Sequence, residues 1–157
     1  MKAQIRSKPG FSVIGIEGCG KSNEGPKWIK PLWEQAHKRR GEIENLVKPS
    51  GEAWGLMSAT DEYLAAWKDE GKYLAGWEMK ADMKSPAGWS IWRMPKQTYA
   101  VVACTMATYG EAYRHVVQQF LPKESYVQAG AVHEFYPKEF LDIEKDTLHL
   151  YITVKRA

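Results

Sequence analysis

Segments with strand and helix periodicity follow one another in the order β-α-β-β, and then in the same order again. Phe11 to Glu17 is a β-branched, apolar strand candidate, and Trp28 to Val47 carries Ile29, Leu32, Trp33 and Ala36 at helical spacing. Two further strands, Ala53 to Ser58 and Lys72 to Lys80, complete the first set, with DEYLAAWKDEG between them readable as a short helix or an ordered loop. The second set begins after WSIWRMP with Thr98 to Met106. A helix follows, opened by the capping-box pair Thr108 and Glu111 and stopped at Pro122. Tyr126 to Tyr136 and Thr147 to Lys155 close the chain as strands, the last alternating Leu148, Leu150, Ile152 and Val154 against His149, Tyr151 and Thr153.

This order predicts an α+β fold: a tandem βαββ repeat with pseudo-two-fold symmetry, a largely antiparallel sheet and both helices on one face. A chain of 157 residues is expected to form one domain, 1–157, with a first half at about 8–82 and a second at about 88–157.

The repeat decides how to read GIEGCGKS, Gly15 to Ser22, which matches a phosphate-binding loop. Such a loop runs from a buried parallel strand straight into a helix whose N-terminal amides hold the phosphates. Here NEGPKWIKP follows, with Gly25, Pro26 and Pro31 where the first helical turns should be. Neither YAVVACT nor LHLYITV ends in a magnesium-binding Asp. The motif is read as accidental, and no cofactor is expected.

Charge and composition exclude further classes. The net charge of +3 and the single basic run HKRR, His37 to Arg40, are read as a solvated helix face, with no nucleic-acid binding by the chain itself. No apolar stretch approaches the roughly 20 residues of a membrane helix, and the N-terminus lacks the apolar segment of a signal peptide, so a cytoplasmic location is expected. Cys19 and Cys104 have no metal-ligand spacing and are expected to be buried thiols, with no metal site.

Seven Trp and eight Tyr are an excess for so short a chain, and one carboxylate stands among them. In GAVHEFYP, Gly130 to Pro137, alternation places Val132, Glu134 and Tyr136 on one face and Ala131, His133 and Phe135 on the other. A mid-strand Glu in such company must be solvated, paired or used.

VIGIE, LWEQAH, YLAGWEM, TYAVVACTMATYGEAYRHVVQQFLP, HEFYP and LHLYITV, in that order, resemble the GyrI-like family, also described as the effector-binding domains of bacterial multidrug-responsive transcription activators. The resemblance runs from about Phe11 to Val154, with no room for a helix-turn-helix domain before or after it, as in a stand-alone form that senses a ligand without reading DNA. It implies a cleft between the two halves, lined by aromatics around a central acid matched here by Glu134. Trp77, Trp89 and Trp92 stand where the family often has smaller apolar residues, which points to flat hydrophobic ligands.

Lipophilic cations and planar aromatics are the ligands such a cleft would attract. Trp54, Trp77, Trp89, Trp92, Tyr99 and Tyr151 are the candidate walls, with core packing the alternative for each. Trp28 and Trp33, on the helical stripe, are read as core. Trp89 and Trp92, three apart in a strand, must face opposite ways, so at most one of them lines the cleft.

The resemblance implies a second reading as well, hydrolysis of electrophilic cyclopropane-bearing alkylating compounds, with Glu134 as acid or base and Tyr99 or Tyr151 assisting. A third, a gyrase-interacting protein, would want an acidic, DNA-mimicking surface that this mildly basic chain lacks.

Overall fold

The computed structural model describes residues 2–157. Eight strands form one antiparallel sheet: β1 Ala3–Lys8, β2 Phe11–Lys21, β3 Ala53–Ser58, β4 Glu70–Glu78, β5 Ser90–Met94, β6 Gln97–Cys104, β7 Tyr126–Tyr136 and β8 Leu148–Arg156. Helix α1 is Gly25–Lys38, and a second helical stretch comprises α2 Tyr109–His115, a π turn Val116–Phe120 and α3 Leu121–Glu124. The strand order β1-β6-β8-β7-β3-β4-β2-β5 is the tandem repeat made visible: β2-α1-β3-β4 and β6-α2-β7-β8 meet where β3 pairs with β7.

Each repeat is preceded by a strand that crosses to the other half. β1 is two residues from β2 yet pairs with β6, and β5 is two residues from β6 yet pairs with β2. The sheet must curl for this to close, because strands joined by Pro9-Gly10 lie near opposite ends of its order. The sequence reading missed β1: AQIRSK has no strong apolar alternation, as suits an edge strand with one flank open.

The glycines of the apparent phosphate loop serve packing instead. Gly15 to Lys21 belongs to strand β2, paired antiparallel with β4, and is therefore extended and not a loop. A Cβ on Gly18 would come within 2.8 Å of Leu32, and one on Gly20 within 2.5 Å of the Trp28 ring, so these glycines let α1 lie close on the sheet.

The prolines behave differently from the expectation. Helix α1 starts at Gly25, with Pro26 in its first turn, where no intrahelical donor is needed. It accommodates Pro31 internally and stops at Lys38, so that Leu46 and Val47 fall beyond it, Val47 bridging Met79. Thr108 precedes α2 as expected, but its hydroxyl accepts from the Thr105 N–H at 2.9 Å and caps no helical donor. Pro122 does not end the second helical stretch either: the chain goes on to Glu124 and turns at Ser125, which is left-handed at φ 60°. Of DEYLAAWKDEG, Asp61 to Asp69 forms a loop, and Glu70 and Gly71 begin β4.

Both helices cover the same sheet face. Under α1 lie Ile14, Ile16, Tyr73, Ala75 and Trp77, and under α2 lie Ala100, Val102, Leu148, Leu150 and Ile152. The opposite face carries Val13, Trp54, Leu56, Leu74 and Trp92, with Leu64 folded against them. No described helix is long and apolar enough to cross a membrane. Cys104 is buried but Cys19 is exposed, a correction to the expectation of two buried thiols.

Candidate functional site

Glu134 lies on the helix-covered face where the two halves meet, on β7 opposite Gly55 of β3 and Leu150 of β8. It is 7% exposed. Three tyrosine hydroxyls clasp its carboxylate: Tyr73 donates to Oε1 at 2.6 Å, Tyr136 to Oε1 at 2.8 Å and Tyr109 to Oε2 at 2.6 Å. The three come from β4, β7 and the first turn of α2, so both halves of the repeat contribute. Trp33 of α1 extends the network, its indole N–H donating to the Tyr73 hydroxyl at 3.0 Å.

Burial raises the Glu134 pKa by disfavouring the charged form, and the hydrogen bonds from Tyr109, Tyr73 and Tyr136 act against that rise. The tyrosines move in step. Tyr73, Tyr109 and Tyr136 are all raised well above the ordinary phenol value, first by burial and then by the neighbouring carboxylate. At neutral pH all three therefore act as O–H donors.

Two cavities adjoin this clasp, each with one of its tyrosines in the wall. The first, about 310 Å³, is lined by Met57, Trp67, Tyr109, Tyr113, Gln128 and Val132, among others. The second, about 220 Å³, is more aromatic: Trp33, Trp77, Tyr136 and Phe140 line it with His37, Ala53 and Met106. Trp33 stands edge-on to Trp77 and Tyr136, with centroids 6.2 and 5.5 Å away, and Phe140 lies 4.9 Å from Tyr136. Among the described residues, no group of three or more His, Cys, Asp or Glu is arranged to hold a metal.

The seven residues singled out from sequence separate. Glu134 and Trp77 share the helix-covered face, and Trp77 lines the second cavity. Trp89 is on that side too but is buried beyond the cavity, its indole N–H donating to Glu42 at 3.1 Å. Trp54, Trp92, Tyr99 and Tyr151 are on the opposite face, because Trp54 pairs with Phe135, Trp92 with Val13, and Tyr151 with His133. Trp89 and Trp92 do face opposite ways, and neither lines either cavity.

Two corrections follow. Tyr99 and Tyr151 cannot assist Glu134 across the sheet, and Tyr73, Tyr109 and Tyr136 occupy that place. Trp33, read as core, is a cavity wall and a hydrogen-bond donor to the clasp. Tyr136 was within reach of sequence reasoning as the same-face neighbour of Glu134, whereas Tyr73 and Tyr109 carry no local signal.

A curled tandem βαββ sheet with a carboxylate at the junction of its halves is the architecture of a GyrI-like effector-binding domain, a small-molecule-binding module. The model of the Cass2 family, integron-associated effector binding proteins, matches residues 4–154, and the chain belongs to that family. Transcriptional regulator BrlR of Pseudomonas aeruginosa is 29% identical over 143 residues, which cover 89% of this chain and 50% of that protein. The chain thus spans about half the length of that curated relative.

Solved structures share the fold. SAV2435 bound to tetraphenylphosphonium superposes with a TM-score of 0.69 at 12% identity, covering 99% of this chain and 94% of that one. The EcmrR C-terminal domain gives 0.69 at 14% identity, with 99% and 98% covered. The Vibrio cholerae integron cassette protein VCH_CASS2 gives 0.63 at 14% identity, with 98% and 95% covered.

Proposed function

We propose that this chain captures small hydrophobic, aromatic or cationic molecules in the cleft between its halves, with Glu134 as the counter-charge and Trp33, Trp77, Tyr109 and Tyr136 as walls. It would serve ligand sensing, sequestration or protection from xenobiotics. One observation carries this reading: every hydrogen-bond donor to the buried Glu134 carboxylate is a neutral hydroxyl. The charge is solvated by the protein without being neutralised, and a cation entering the cleft supplies what is missing. Surrounding rings add cation–π attraction of about 0.5 to 2 kcal/mol. That SAV2435, which shares the fold, holds tetraphenylphosphonium, a greasy cation, supports the same class of ligand.

The clasp favours holding over turnover. Three hydroxyl donors stabilise the ionised carboxylate and so weaken Glu134 as a base toward water. The test is a tryptophan-fluorescence titration with tetraphenylphosphonium. Saturable quenching is expected, weakened at least about tenfold, or 1.4 kcal/mol, in Glu134→Gln. Equal affinity in that variant would overturn the assignment of Glu134. Conversion of a cyclopropane-bearing alkylating compound, lost in the same variant, would replace binding by hydrolysis.

A further inference from the structure

Glu134 stands between the two cavities of the helix-covered face, and two neighbouring strands place it there. Along β7, Val132 lines the 310 Å³ cavity and Tyr136 the 220 Å³ one, with Glu134 the same-face residue between them. β3 repeats the spacing in the opposite direction: Met57 lines the first cavity, Ala53 the second, and Gly55 lies between, opposite Glu134. Pairing of the two strands ends at Gly55 and Glu134, and the Met57 N–H donates to the His133 ring instead, so the first cavity lies where the strands part. Four residues of extended chain separate the two wall positions, about 13 Å at about 3.3 Å per residue.

The carboxylate addresses both cavities. Its Oε2 accepts from Tyr109, a wall of the first, and its Oε1 from Tyr136, a wall of the second. Among the described residues neither lining includes an Asp or Glu, and Glu134 is the acid that the two have in common. Away from it the surroundings suit rings and not cations. The first cavity is walled by the neutral side chains of Met57, Trp67 and Tyr113. The second carries Lys138, two residues beyond Tyr136, and the Arg40 guanidinium lies 5.0 Å over the ring of its Trp77 wall. A positive charge at the end of a ligand would meet apolar surface in one cavity and cations at the other, whereas a charge at its middle meets the acid.

We propose that the two cavities receive the two arms of one ligand, an elongated cation charged at its centre with an apolar ring on either side. The inference rests on the reading of Glu134 as the counter-charge and adds to it the ligand's shape and the position of its charge. One ring lies against Met57 and Trp67, the other among Trp33, Trp77 and Tyr136. A cation charged at one end can set its rings in one cavity only, and the second contributes nothing to its affinity.

Isothermal titration calorimetry of the full chain with two isomeric cations tests this. N,N-dimethyl-bis(3-phenylpropyl)ammonium holds its charge between two ring-bearing arms, and trimethyl(5,5-diphenylpentyl)ammonium holds both rings at one end and its charge at the other. The centre-charged isomer is expected to bind at least about tenfold tighter. Val132→Phe, which fills the first cavity, and Ala53→Leu, which fills the second, should each bring the two isomers within about threefold of one another. Equal affinity of the isomers for the wild-type chain would overturn the proposal, as would a preference that survives either substitution; should a variant fail to fold, the wild-type comparison decides alone. The outcomes also separate this inference from the reading beneath it. Tetraphenylphosphonium binding that depends on Glu134, with the isomers bound alike, removes the two-armed ligand and keeps the counter-charge, whereas equal affinity of wild type and Glu134→Gln for the centre-charged cation removes both.

Discussion

Gly55 faces Glu134 across the β3–β7 pair, and no other residue fits there: a Cβ at Gly55 would collide with the Tyr73 hydroxyl and lie 2.8 Å from Glu134 Oε1. A glycine inside a strand marks close approach by another group, and here that group is the clasp itself. Gly55→Ala is therefore expected to push Tyr73 off the carboxylate. Overpacking of this kind costs about 1 to 3 kcal/mol, and the lost hydrogen bond adds to it. Thermal melts and tetraphenylphosphonium titration of the variant check both effects; wild-type stability together with wild-type binding would show that the glycine is dispensable.

The three tyrosines should not be equivalent. Tyr73 is fully buried and accepts from Trp33 while donating to Glu134, so Tyr73→Phe strands an indole N–H as well as weakening the carboxylate. Tyr109 has a single hydroxyl bond and lines the 310 Å³ cavity, where water can replace the hydroxyl. Hydrogen bonds to charged groups contribute about 1.5 to 3 kcal/mol, and an unsatisfied buried donor costs about 1 to 3 more. Urea denaturation should place Tyr73→Phe below Tyr109→Phe in stability, and the reverse order would contradict the geometry.

Much of this arrangement was legible before any coordinates. Alternation alone put Glu134 and Tyr136 on one face, and the twofold βαββ order gave the sheet and the side on which the helices lie. The partners of Glu134 were not, for a physical reason. Alternation fixes the parity of residues within a strand, but which face of β3 or β8 matches which face of β7 depends on register, and register is set by pairing between distant segments. Trp54 and Tyr151 were thus plausible walls until Trp54 paired with Phe135 and Tyr151 with His133, which turned both away from Glu134. The one local hint was Gly55 in AWGLMS, a glycine with no turn to make.

Cation binding should strengthen as pH rises. Burial raises the Glu134 pKa above its ordinary 4.5, so on titrating upward the carboxylate ionises later than a free one, and attraction for a permanent cation grows through that raised value. His37, in the wall of the 220 Å³ cavity, acts in the same direction below its lowered pKa, where its protonated ring would repel the ligand. Tetraphenylphosphonium affinity measured between about pH 4 and pH 9 separates them. Glu134→Gln should abolish the main rise and leave only the histidine contribution, while a pH-independent wild-type affinity would mean that the ionised acid is not the attracting group. Stability has the opposite sign: between the ordinary and the raised value the native protein holds a proton the unfolded chain has released, so Glu134 contributes less stability as pH rises through that window.

His133 supplies an acid-sensitive element on the other face. It is 1% exposed, and its Nδ1 accepts the Met57 N–H at 3.1 Å, which leaves the ring proton on Nε2, where it has no partner. Burial lowers its pKa from 6.5 to about 3. The unfolded chain therefore takes up a proton near pH 6.5 while the native protein does not, and stability present above that pH is lost as pH falls toward the folded value, by up to about 1.4 kcal/mol per pH unit. His133→Asn keeps an acceptor for Met57 but cannot titrate. Urea midpoints compared between wild type and variant from pH 7 to pH 4 isolate this residue from the opposing contribution of Glu134. The wild type should lose stability relative to the variant across that range, and a constant gap between the two would refute a buried neutral histidine.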